Sequence, residues 1–265
     1  MGTYSIPFPD GFSPVHAYEF GHAPSRQIAA SLAMLAEIAH PGQWKSPQEL
    51  TSAIYEQYCG PDLPTNPAAL TREQALAWLA QQGINTIDLS ARYGASLDDL
   101  KHEMQAQNLS GVAQLILLRD ETPLRHATTL QPLHNWLAGS PGKAASIIRV
   151  GYSDDAPYAL YLDSALSPAF SQPVPILWPD VEQAGLLSVI AVLPHGIEAP
   201  PAEFRYFAGV DESGHMLPPN PWPVPVPPKP EINVDELIGT ITAADQAVDA
   251  LKLAHQNLLA SLKKG

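Results

Sequence analysis

Ala145-Ser146-Ile147-Ile148-Arg149-Val150-Gly151-Tyr152 runs into Ser153-Asp154-Asp155-Ala156-Pro157 and then into Tyr158-Ala159-Leu160-Tyr161-Leu162. β-Branched and aromatic residues fill both flanks, and Asp and Pro fill the middle, so the stretch reads as strand, hairpin turn, strand. Val112 to Leu118 and Leu186 to Leu193 are apolar runs of the same kind, and each reads as a buried strand. Phe204 to Val210 reads as a last strand.

Upstream, the apolar spacing becomes helical. Pro24 to Ala39 places Ala30, Leu32, Ala33, Leu35 and Ala36 on more than one side, which predicts a buried helix. Ser46-Pro47-Gln48-Glu49 is a capping box with proline at the first helical position, opening a helix that ends near Cys59-Gly60-Pro61. Thr71-Arg72-Glu73-Gln74 is a second capping box, closed by Gly83. Ser96 caps Leu97 to Gln107. Helices first and strands second argue for an α+β domain with an antiparallel sheet, against an alternating βαβ winding. Tyr4, Phe8, Phe12, Tyr18 and Phe20, set among Pro and Gly, read as an irregular arm that docks by its rings.

Downstream, composition changes sharply. Eight of the thirteen residues from Pro218 to Pro230 are proline, so this stretch is neither helix nor central strand but a stiff polyproline II spacer. A recognition motif for a proline-binding partner is the alternative use. Trp222 lies inside the run, away from any core, and reads as an anchor for the tether. Beyond it Asn233 caps a proline-free helix, with Glu236 at N3 and Lys263 and Lys264 at the far end, as the helix dipole prefers. Leu237, Ile241, Ala244, Val248, Leu251, His255, Leu258 and Leu262 recur at alternating spacings of four and three, a heptad seam. Leu253 and Leu259 widen the apolar face, so a homo-oligomer of three or more helices is expected; packing on its own domain or on another protein is the alternative. The chain thus divides into an arm (1–20), an α+β domain (21–210), a proline-rich tether (211–232) and an oligomerising coiled-coil helix (233–264).

Composition bounds the function. Among 265 residues, 45% are hydrophobic, enough for a core. A net charge of −13 disfavours both nucleic acid and anionic membrane as partners. Cys59 is the single cysteine, so an intrachain disulfide and a cysteine-built zinc site are excluded. Met1 to Asp10 lacks the pattern of a signal peptide, and no apolar run reaches membrane-spanning length. A cytoplasmic or virion-associated location is expected, with no cofactor.

Two segments together resemble the papain-like fold, in the branch of the bacteriocin-processing (double-glycine) cysteine peptidases. Ala30-Ser31-Leu32-Ala33-Met34-Leu35 is similar to the interior of that family's first core helix, which a Cys-Gly-Pro opens and whose cysteine is the nucleophile. Ile147 to Asp155 followed by Tyr161-Leu162-Asp163 is similar to the strand–turn–strand that carries the family's histidine and then its aspartate. The resemblance covers about residues 20 to 195. It places Gln27 where the cysteine would stand, Ala145 (or nearby Lys143) where the histidine would stand, and Asp163 at the third position. A cysteine peptidase needs a thiolate, an imidazole within reach and a group to orient it. An amide and a methyl supply neither of the first two, so the resemblance implies a scaffold without its chemistry.

Cys59-Gly60-Pro61 reproduces the family's tripeptide but follows a helix where the family opens one, so no helix dipole would lower its thiol pKa. The rival reading is a hydrolase, a peptidase or amidase, using Cys59 with His126 or His134, both read as loop residues. A third is a ligand-binding module in the former substrate cleft. His16 with His22, or His126 with His134, could hold a metal with Asp154 or Asp155, but ordinary hydrogen-bonded roles explain them better, and no metal site is expected. The leading expectation is a non-catalytic structural or interaction protein. It would bind itself and other assembly proteins, as in a phage or prophage virion.

Overall fold

A computed structural model of the chain describes residues 3–15, 24–44, 46–59, 70–93, 96–120, 122–126, 145–153, 156–165, 172–200, 204–209, 211–213 and 217. The tether apart from 211–213 and 217, Trp222 and the whole heptad seam from Leu237 to Leu262 lie outside the described residues, as do His16, His22, His134, Lys143, Asp154 and Asp155.

Three helices come early: α1 (Pro24–Ala39), α2 (Pro47–Cys59) and α3 (Arg72–Gln81). Their starts follow local chemistry. The Glu49 N–H donates to Ser46 Oγ at 3.3 Å, and Thr71 and Gln74 form the reciprocal capping box at the head of α3. Gly83 takes φ 71°, a left-handed stop that costs glycine little. Then come β2 (Thr86–Asp88), α4 (Leu89–Tyr93), α5 (Leu97–Leu109), β3 (Ala113–Leu118) and α6 (Thr122–His126). The last elements are β4 (Ala145–Ser153), β5 (Tyr158–Leu162), β6 (Val174–Leu177), α7 (Trp178–Gln183) and β7 (Leu186–Val192).

The strands form one seven-stranded sheet in the order β2-β7-β3-β4-β5-β6, and every pairing among the described residues is antiparallel. The seventh, β1 (Thr3–Ser5), pairs with the far end of β4, Ser5 opposite Gly151 and Thr3 opposite Ser153. Thr3–Ser5 therefore join the sheet, where an irregular arm was expected, while residues 6–15 are irregular, with Phe8 and Phe12 stacked 5.0 Å apart and packed against the core. Any side chain at 151 would run into the Tyr4 carbonyl, so glycine is what lets β1 approach.

Both faces of the sheet are covered, and side chains alternate between them. Leu115, Leu117, Ile148, Val150, Ile190 and Val192 face α1, α2 and α3. Ile116, Leu118, Ile147, Tyr161, Val189 and Ala191 face the other layer, with Leu89, Met104, Leu124 and Trp178 from α4, α5, α6 and α7. Strands buried on both sides read as continuous apolar runs, which is how β3 and β7 appear in the sequence.

Two expectations fail. Phe204 to Val210 is not a strand among its described residues, 204–209. The Tyr206 and Phe207 N–H groups donate instead to the Glu103 carboxylate on α5, at 3.1 and 2.8 Å, so a side chain takes the place of a neighbouring strand. Ser96 precedes α5 as expected but makes no side-chain cap bond.

Candidate functional site

Helix α1 lies over β3 and β4, with its first turn near the beginning of β4. Proline at its first position is preorganised for helix, and the first turn carries no acidic residue. Gln27 sits in that turn and is largely buried. One turn on, Ser31 is fully buried and shares a hydrogen bond of 2.9 Å with Ser146 Oγ, the second residue of β4. Ala145, which opens β4, is paired with Leu118.

The third position arrives from the neighbouring strand. β5 runs antiparallel to β4 and ends at Leu162, opposite Ile148, so Asp163 emerges at the end of the sheet where β4 begins. Asp163 Oδ1 accepts the Ala165 N–H at 2.8 Å, which closes a tight turn. Within that turn Ser164 Oγ donates to the Gln27 carbonyl at 3.4 Å. The head of α1, the start of β4 and the turn after β5 are thus tied together, and Gln27, Ala145 and Asp163 belong to one small region. In the sequence Gln27 lies more than a hundred residues before Ala145 and Asp163.

Such a place, at the positive end of a sixteen-residue helix, would lower the pKa of a thiol. Gln27 offers an amide, which has no proton to lose and no nucleophilic lone pair at neutral pH. Asp163 is a carboxylate committed to its own turn.

Cys59 is the last residue of α2 and so ends a helix, as expected from the sequence. His126 corrects the sequence reading: its segment is not loop but the short helix α6, of which it is the last residue. Helix α2 contributes Ile54 and Tyr55 to the core on one face of the sheet, and α6 contributes Leu124 to the core on the other.

Sequence reading missed a different histidine pair. His40 follows α1 and His195 follows β7; His40 Nε2 and His195 Nδ1 are 3.3 Å apart, while His40 Nδ1 meets Gln43 Oε1 at 2.7 Å. No local spacing links positions so far apart in the chain. Among the described residues no group of three or more His, Cys, Asp or Glu is placed to hold a metal ion, and no helix is long and apolar enough to cross a membrane.

No protein-family model matches the chain, and no curated protein matches it. Among solved structures, the chain is similar to a crystal structure from Bacillus anthracis described as a C39-like peptidase, at 16% identity and a TM-score of 0.43, over 74% of this chain and 99% of that one. On the chain's own elements the domain is a buried helix laid against an antiparallel sheet, with Ser31 of the helix bonded at the start of one strand and Gln27 bonded to the turn that ends the next.

Proposed function

We propose that this chain is a non-catalytic interaction protein, a papain-like domain kept for its shape and presented on an oligomeric helical stalk. The observation that carries the proposal is Gln27 in the first turn of α1, tied to the turn that bears Asp163. On the resemblance, Gln27 stands where the nucleophile would be, and its side chain is an amide. The stalk rests on the heptad seam from Leu237 to Leu262 in the sequence, which follows a proline-rich spacer and needs an apolar cover. This plan suits a component of a larger assembly, such as a phage or prophage virion, that binds copies of itself and other assembly proteins.

Two measurements test it. Incubation with a library of peptide and amide substrates is expected to give no turnover, and iodoacetamide is expected to label Cys59 no faster than a small free thiol. Hydrolysis that disappears on Cys59→Ser would overturn the non-catalytic half. In light scattering, the full chain is expected to be an oligomer that Leu251→Glu combined with Leu258→Glu dissociates. An unchanged mass would remove the stalk.

A further inference from the structure

Arg149 lies in the middle of β4 and is completely buried. It forms a row with two register partners on the adjacent strands, Gln114 of β3 and Tyr161 of β5, on the face covered by α5. The polar groups of this layer are mostly spoken for. Gln114 Nε2 donates to the Val112 carbonyl at 2.9 Å, and its Oε1 accepts from Asn108 Nδ2 at 3.1 Å. Both oxygens of Glu103 are used by Gln107, Tyr206 and Phe207. Three donors have nothing to donate to: Arg149 Nε, Arg149 Nη1 and the Tyr161 hydroxyl, all sealed from solvent.

A guanidinium cannot shed its charge at neutral pH, and a buried charge without a counter-charge is strongly destabilising. Among the described residues, the ionisable groups that bear on the Arg149 charge are Tyr161 and Tyr152. Burial pushes the Tyr161 hydroxyl up to about 12, so it stays a neutral donor. A guanidinium, which can only give hydrogen bonds, and a neutral phenol with its proton still to give are complementary to a group that accepts them and carries negative charge. We propose that Arg149 and Tyr161 form a buried site for a small monovalent anion, a halide or a simple carboxylate, which completes the face of the sheet beneath α5. Asn108 Oδ1, also without a partner, is an acceptor and would be met by a water carried in with the anion.

The test uses the full chain dialysed into a buffer whose anion is bulky, with sodium bromide and sodium acetate as probes. The unfolding midpoint of the wild type is expected to rise with each probe and then level off, as a bound ligand requires. Arg149→Met is expected to have a higher midpoint than the wild type without probe and to lose the saturable rise, keeping only the shallow effect of salt. Tyr161→Phe retains the cation and removes one donor, so it is expected to bind about tenfold more weakly. It also keeps the test open should Arg149→Met fail to fold. Bromide-soaked crystals are expected to show an anomalous peak beside Arg149. The site is overturned by a probe response that does not saturate in the wild type, as a water-filled site would give. It is equally overturned if Arg149→Met responds as the wild type does, or if Tyr161→Phe leaves the saturation point unmoved.

Discussion

The two faces of the sheet are built by opposite means. Under α1, α2 and α3 the layer is almost purely aliphatic, with Leu32, Ala33, Leu35 and Ala36 fully buried against Leu115, Ile148 and Ile190. A polar joint from α1 to the sheet is the Ser31–Ser146 pair, which satisfies itself. Under α5 the hydrogen-bonded groups Glu103, Gln107, Asn108 and Gln114 run through the core, with buried Arg149 next to Gln114 in register. The first face is held by area and close packing, which tolerate exchange between residues of similar volume. The second depends on each donor having its acceptor, and one lost partner strands another. Specificity of structure is thus concentrated on the α5 side, and bulk stability on the α1 side.

Substitutions can break that contrast. Leu32→Ala, a cavity in the aliphatic layer, is expected to cost the most, about 2–5 kcal/mol in urea or guanidinium unfolding. A loss below 1 kcal/mol would mean that the α1 face is not close-packed. Glu103→Ala leaves the Tyr206 and Phe207 N–H groups without acceptors and is expected to cost about 2–4 kcal/mol. Hydrogen exchange would show those two amides deprotected before the α1 layer, whereas equal protection would tie both faces into one unit.

Alkali should discriminate further. The folded chain holds Tyr161 protonated up to about 12, while the unfolded chain releases that proton near the ordinary tyrosine value of about 10. Between these values the native state binds more protons, so this contribution is fully present below about 10 and is lost as pH rises to about 12. The change amounts to at most about 3 kcal/mol, and unfolding of wild type and Tyr161→Phe from pH 9 to 12 would reveal it as a converging difference. The smallest effect is expected at the head of α3. Thr71→Ala removes the capping box for about 1 kcal/mol, read as a shift in the urea midpoint with unchanged slope.

What the sequence disclosed follows the same division. The central strands were legible because burial on both faces leaves an uninterrupted apolar run, and β5 begins and ends where Tyr158 and Leu162 predict. Helices α2 and α3 were legible because Ser46 and Thr71 announce them locally. The missed strands lack such signals: β1 and β2 have three residues each, and β6 contains Pro175, whose missing N–H is tolerated where the described sheet ends. Phe204 to Phe207 has the composition of a strand, but a carboxylate more than a hundred residues earlier answers its amides. The α1 end of the site could be laid out by resemblance through Gln27, Ala145 and Asp163. The Arg149 row could not, because an arginine inside a strand pattern gives no hint that its charge will go unanswered.

The pairing of Thr3–Ser5 with Gly151–Ser153 has a consequence for how the molecule is made. During synthesis Thr3–Ser5 have no partner in the sheet until Gly151–Ser153, about 150 residues later, have followed them. This seam of the sheet therefore closes late, as contacts of long sequence separation do. A nascent chain stalled before position 151 would carry β1 unpaired, with Tyr4 and Ile6 exposed to chaperones or to one another.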